Sequence, residues 1–166
     1  TSVTLMLGDC LATTAMYQKK FSKDKFKIFH PGGNIGQTLL LVKDLMITGN
    51  KIPAISSKKT IYDAIKVINK KKLGLVVITD KKNIKGILTD GDARRNVKKY
   101  SKSNKVVDFM TKKPICVDEN SLASKALFLM NQKKITSLLV TSGKSGKSIK
   151  LKGILHIHSL LQYGIK

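Results

Sequence analysis

An α/β fold made of one β-α-β-β-α unit used twice is what this 166-residue sequence predicts, and three observations predict it. Segments 62 residues apart repeat one another: Thr60-Ile-Tyr-Asp-Ala-Ile65 falls on Leu122-Ala-Ser-Lys-Ala-Leu127, and Leu75-Val-Val-Ile-Thr79 on Ser137-Leu-Leu-Val-Thr141. Each copy carries one apolar stripe at helical spacing. After each stripe come two β-branched or leucine-rich runs joined through a polar segment, the sequence form of a hairpin.

The elements follow in order. A short extended piece opens each copy, Ile52 to Ile55 and Ile115 to Val117. The helix that follows places Ile61, Ala64, Ile65 and Ile68 on one face in the first copy, and Ala123, Ala126, Leu127 and Met130 in the second. Those are the i, i+3, i+4, i+7 positions of a buried stripe. Thr60 with Asp63 three residues later has the form of a capping box. The hairpin strands are Leu75 to Thr79 and Ile84 to Leu88, joined through Asp80-Lys-Lys-Asn83. Gly86-Ile-Leu88 recurs as Gly153-Ile-Leu155 at an offset of 67, so the polar stretch Ser142 to Ser148 carries five inserted residues. A turn tolerates such an insertion at small entropic cost. A second helix closes each copy, Asp90 to Lys99 and Ile157 to Tyr163. A unit of about 50 residues buries too little surface to be stable alone, so the two copies should pack face to face.

The first 43 residues stand outside this repeat. Val3, Met6, Leu7, Cys10 and Leu11 recur at helical spacing, predicting an amphipathic or buried helix from Ser2 to about Gln18. His30-Pro-Gly-Gly33-Asn-Ile-Gly36 cannot continue a helix and reads as a tight loop that exposes its backbone. One helix, a loop and a short apolar run make no core, so this stretch reads as the closing part of another domain.

Composition narrows the function. Hydrophobic residues make up 42%, enough for a packed core. Apolar runs such as Leu39-Leu-Leu-Val42 are far too short to span a bilayer, and without a basic, apolar and small-residue succession at Thr1 no secretory signal is expected. Cys10 and Cys116 cannot form a disulfide framework and read as reduced, buried thiols of a cytoplasmic protein. The five methionines read as filler on apolar stripes and at joints. A net charge of +22 suggests nucleic acid, but among 32 basic residues only Arg94 and Arg95 are arginine. The guanidinium fork that best grips base edges and phosphates is nearly absent, so a specific nucleic-acid partner is not expected. What remains is a general attraction for anionic ligands.

Two stretches carry a family resemblance. The repeat with Gly86-Ile-Leu-Thr-Asp-Gly-Asp92 resembles the CBS domain, which occurs in tandem pairs. The opening Thr1-Ser-Val-Thr-Leu-Met-Leu-Gly8-Asp9-Cys-Leu-Ala12, with His30-Pro-Gly-Gly33 and Asn34-Ile-Gly-Gln-Thr-Leu-Leu40, is similar to the last part of a Rossmann-like sugar isomerase (SIS) domain. This order, with Leu45-Met-Ile-Thr-Gly49 at the joint, resembles the D-arabinose-5-phosphate isomerase family. The match continues through Thr89 to Arg95 and Gly153 to Leu161. The resemblance implies residues 1–43 as the end of the SIS domain, 44–104 as the first CBS domain and 105–166 as the second.

The activity so implied is conversion of ribulose 5-phosphate to arabinose 5-phosphate, on the route to the sugar acid Kdo of lipopolysaccharide or capsule. It moves a proton between C1 and C2 through an enediol, work suited to imidazole near neutral pH. The family counts the histidine of the His-Pro-Gly-Gly stretch, here His30, among its active-site residues. The family's lysine, two glutamates and sugar-phosphate loop would precede Thr1, so this chain alone is expected to be inactive. No cofactor is implied, and homo-oligomers are: dimers through the CBS pairs, tetramers in the parent enzyme.

The candidate ligand-binding residues are Thr89, Asp90, Asp92, Ser137 and His156. A threonine hydroxyl can donate to a phosphate oxygen, and a carboxylate can accept both hydroxyls of a ribose. Thr89 with Asp92 is equally a capping box that needs no ligand. The second copy reads His156-Ile-His-Ser159, without the acid, so a nucleotide or CMP-activated sugar should favour one of the two pseudo-symmetric sites. His156 and His158 lack a nearby third ligand, so no metal site is expected. A free-standing adenosine-nucleotide sensor is the alternative reading.

Overall fold

The structure, a computed structural model, describes residues 1–22, 39–80, 83–96, 101, 104–142 and 150–165. His30 and its glycine-rich loop, most of the polar insertion after Ser142, and the tip of the Asp80–Asn83 turn lie outside the described residues. Residues 1–39 and 40–166 form two separate units.

In the first unit α1 runs from Ser2 to Gln18, the span that the periodicity predicts. It is neither buried nor clearly amphipathic: apolar side chains are not confined to one stripe, and none of its residues is buried. Val3 is 79% exposed and Met6 68%. The helix forms where helical spacing predicts it, but that spacing does not sort its apolar side chains onto one face. The same correction applies to two smaller expectations. Cys10 is exposed, though both cysteines are free thiols. Met6 and Met16 are exposed rather than filler.

The second unit contains the two repeats. After a one-turn helix α2 (Val42–Leu45) and a 3₁₀ turn (Gly49–Lys51), the first repeat runs β1 (Ala54–Ser56), α3 (Ile61–Lys71), β2 (Leu75–Asp80), β3 (Asn83–Thr89) and α4 (Asp90–Asn96). A second 3₁₀ turn (Val106–Asp108) leads into β4 (Cys116–Asp118), α5 (Ala123–Lys133), β5 (Ser137–Thr141), β6 (Leu151–His156) and α6 (Ile157–Gln162). Each repeat forms a three-stranded sheet with its first two strands parallel and the last two antiparallel. The registers coincide: Ala54 pairs with Val77 as Cys116 pairs with Leu139, each partner 62 residues on.

Strand alternation distributes the core. Val76 and Ile78 of β2 pack with Ile61, Ala64 and Ile68 of α3. Leu138 and Val140 of β5 pack with Ala123, Ala126, Leu127 and Met130 of α5. The intervening residues point the other way. Leu75 and Val77 meet Leu139 and Ile154 in a third cluster, which joins the two sheets face to face. Because β2 is buried on both faces, it reads in sequence as a continuous apolar run rather than an alternating one. Each fully buried aliphatic side chain contributes roughly 1.5–3 kcal/mol through burial.

The linkers are exchanged between repeats. Ile47 precedes the first repeat but pairs with Ile154 of the second: its N–H donates to the Ile154 carbonyl at 2.8 Å and its carbonyl accepts from Ile154 N–H at 3.0 Å. Reciprocally, Thr111 precedes the second repeat and pairs with Ile87 of the first, at 2.8 and 3.0 Å. Val42 and Leu45 of α2 are buried in the core of the second repeat, and Val106 in that of the first. Two glycines permit the close approach. A β-carbon on Gly86 would lie 2.5 Å from the Thr111 carbonyl oxygen, and one on Gly153 would lie 2.8 Å from that of Ile47. Met110 and Met46, at these joints, cover the two glycines.

Candidate functional site

The exchanged linker and both repeats together enclose a cleft of about 650 Å³, a size suited to a small organic ligand. The end of β3 and the start of α4 supply Thr89, Asp90, Asp92 and Arg95. The linker supplies Thr111, Lys113 and Ile115, and the α5–β5 turn supplies Lys134, Thr136 and Ser137. Leu75, Ile87, Ile135 and Leu139 give it an apolar floor. Four of the five candidate ligand-binding residues, Thr89, Asp90, Asp92 and Ser137, therefore border one cavity. His156 is not among its lining residues; it pairs with Ser137 across β5 and β6.

Thr89 and Asp92 lock each other. The Thr89 hydroxyl donates to the Asp92 carboxylate at 2.7 Å, the Thr89 N–H donates to the same oxygen at 3.1 Å, and the Asp92 N–H donates back to the hydroxyl at 3.1 Å. Arg95 donates to the other carboxylate oxygen at 2.6 Å. Burial raises the Asp92 pKa, but the two Thr89 bonds and the Arg95 guanidinium outweigh it and hold the carboxyl below its usual range. Asp92 is thus an anion at neutral pH, able to accept but not donate.

The fold contains its own control for this motif. Thr60 and Asp63 make the same three bonds at the start of α3, at 3.0, 3.2 and 3.3 Å. There the same Thr60 backbone and hydroxyl donors lower the Asp63 pKa, yet Asp63 lines a smaller, more open hollow with Lys59 and Lys66. The capping box is therefore structural wherever it occurs. What sets Thr89 and Asp92 apart is their place beside the cleft and Arg95.

In the second repeat the His156 ring does the capping, accepting from His158 N–H through Nδ1 at 3.2 Å. The two rings stack with centroids 5.0 Å apart. Burial, then the neighbouring His158, lowers the His156 pKa. Among the described residues no three His, Cys, Asp or Glu side chains gather as a metal site would need. Cys116 packs between the sheets, and burial pushes its thiol pKa up.

Ser137 bears an unusual burden. Its hydroxyl is buried at the cleft wall and has no hydrogen-bond partner among the described residues, a state that costs about 1–3 kcal/mol. Ser137→Ala is expected to leave thermal stability unchanged or raise it by up to about 1 kcal/mol. Calorimetric unfolding checks this; a marked loss of stability would mean that the hydroxyl has a structural partner.

Sequence reasoning missed Arg95, Lys113 and Lys134. Arg95 is one of two arginines in a lysine-rich chain, which could have marked it. Lys113 and Lys134 come from a linker and a turn distant in sequence, and only the tertiary fold brings them to Thr89.

Comparison with known proteins places the arrangement. The CBS domain family model matches residues 42–99 and 106–166. The chain is similar to the arabinose 5-phosphate isomerase KdsD of Yersinia pestis, 41% identical over 169 residues, covering 99% of this chain and 50% of that protein. It spans about half the length of the curated relatives it matches. Among solved structures it resembles CBSX2 in complex with AMP, with a TM-score of 0.62 and 21% identity, covering 75% of this chain and 95% of that one. It also resembles the CBS domain pair of MJ0100 in complex with 5′-methylthioadenosine and S-adenosyl-L-methionine, with a TM-score of 0.63 and 19% identity, covering 75% and 94%.

Proposed function

The chain belongs to the CBS domain family, and from that premise we propose that it is the regulatory half of an arabinose 5-phosphate isomerase, binding a nucleotide or nucleotide-sugar in the cleft beside Thr89 and Asp92. The cleft carries this reading: an apolar floor for a base, an ionised Asp92 for ribose hydroxyls, and hydroxyls and cations for a phosphate. The isomerase relatives support the catalytic parent, and neighbours that hold AMP or S-adenosyl-L-methionine on this fold support an adenosine-type or other nucleoside ligand. In the parent the substrate is a sugar phosphate, His30 belongs to the active site, and the product enters Kdo synthesis in the cytoplasm. A CMP-activated sugar, formed further along that route, is a chemically sensible feedback ligand. The paired repeats also serve to join subunits, dimers through the CBS pairs and tetramers in the parent.

The test is a thermal-shift titration of this chain with AMP, ATP, CMP and a CMP-sugar. A ligand at one hundred times its dissociation constant should stabilise by about 2.7 kcal/mol, a shift of several degrees. No stabilisation by any of the four would leave the pair an architectural role and overturn the ligand-sensing reading. The chain alone should not turn over ribulose 5-phosphate; measurable turnover would refute the division of labour.

A further inference from the structure

Among the described residues, the charged side chains lining the cleft are two aspartates, each paired with an arginine (Arg94 from outside the cleft), and two lysines without an ionic partner. Arg95 is held by Asp92 at 2.6 Å, and Arg94 by Asp90. Lys113 and Lys134 also line the cavity, and the ammonium group of neither has a hydrogen-bond or ion-pair partner among the described residues. The wall therefore presents two uncompensated positive charges beside an apolar floor.

Lys134 is held there against its backbone preference. It ends α5 in the left-handed region, φ 52° and ψ 45°, a conformation that glycine adopts freely and side-chain-bearing residues resist. Lys72 ends α3 in the same way, φ 55° and ψ 28°, but does not line the cleft. The two positions are 62 residues apart and structurally equivalent, so one lysine reports the backbone effect alone.

Resting on the nucleotide-site reading above, we infer that the cleft selects ligands carrying two negative charges, and that Lys134 with Lys113 makes the selection. The shared chemistry is a dianionic nucleotide. It has two sources: a phosphomonoester, largely doubly ionised at neutral pH, or a phosphodiester joined to a sugar carboxylate. A neutral nucleoside or a sulfonium nucleoside leaves both ammonium groups uncompensated.

Isothermal titration of the whole chain tests this with AMP against adenosine, CMP against cytidine, and CMP-N-acetylneuraminate as the diester-plus-carboxylate probe. At low salt the preferred nucleotide should bind about tenfold or more tightly than its nucleoside, with the ratio falling as salt rises. Lys134→Gly should shrink that ratio severalfold while leaving the melting temperature equal or higher, and adding Lys113→Ala should bring it close to one. Lys72→Gly, which gives the same backbone relief, should leave the ratio unchanged. A wild-type ratio near one, or equal effects of Lys134→Gly and Lys72→Gly, overturns the inference while the nucleotide site stands. Binding of none of the probes overturns both. Whether AMP and CMP or the sugar-acid conjugate shows the larger lysine-dependent gain identifies which dianion the site accepts.

Discussion

Gly86→Val is expected to lower the unfolding free energy by about 3 kcal/mol, the upper end of overpacking costs, and the melting temperature by roughly 10 °C. The reason is local and severe. A single β-carbon already falls 2.5 Å from the Thr111 carbonyl and 2.8 Å from the Met110 sulfur, and the γ-methyls have nowhere to go without expelling the linker from β3. That linker donates and accepts both Ile87 backbone hydrogen bonds, so displacing it leaves them unmade as well. Gly153→Val should act alike on the second repeat through Ile47 and Met46. Gly8→Ala, with open space around the added methyl, is the control and should not destabilise. Urea unfolding monitored by circular dichroism measures all three. Wild-type stability in Gly86→Val would mean that the linkers are not exchanged in solution.

The second large effect is expected at a distance. Val42→Ala combined with Leu45→Ala should cost about 4 kcal/mol, since truncating a buried leucine alone costs about 2–5 kcal/mol. In sequence these residues sit just before the first repeat. In space Val42 is fully buried among Leu127, Met130, Leu155 and Leu160 of the second. Amide hydrogen exchange should therefore speed up in α5, β5 and β6 ahead of α3 and β2. The reverse order would place α2 on the wrong repeat. The α2 backbone contacts point the same way: Val42 N–H reaches the Ser121 carbonyl at 2.9 Å, and Leu40 accepts from Ala123 N–H at 2.8 Å.

Both predictions arise where the chain departs from a simple two-bead reading of its repeat. Self-similarity displays Gly86-Ile-Leu88 and Gly153-Ile-Leu155 as equivalent, but not why glycine recurs. The cause is a backbone from elsewhere in the chain, invisible to any local window. The same holds for the cleft. Thr89 and Asp92 are legible because a capping box has a fixed three-residue spacing, and Thr60 with Asp63 shows how little that spacing alone says about ligands. Lys113 and Lys134 carry no such spacing.

What the sequence determined by itself is everything governed by local period and local chemistry. The apolar stripes place Ile61 to Ile68 and Ala123 to Met130 on buried helix faces, the β-branched and leucine runs become β2 and β5, and the 62-residue offset reappears in the sheet registers. Tertiary structure alone decided which repeat each linker serves and which face of Leu75 and Leu139 meets the other sheet. These outcomes depend on contacts between residues far apart in the chain. Their free energy comes from excluding water between whole surfaces, and a hydrophobic side chain marks itself for burial without naming its partner.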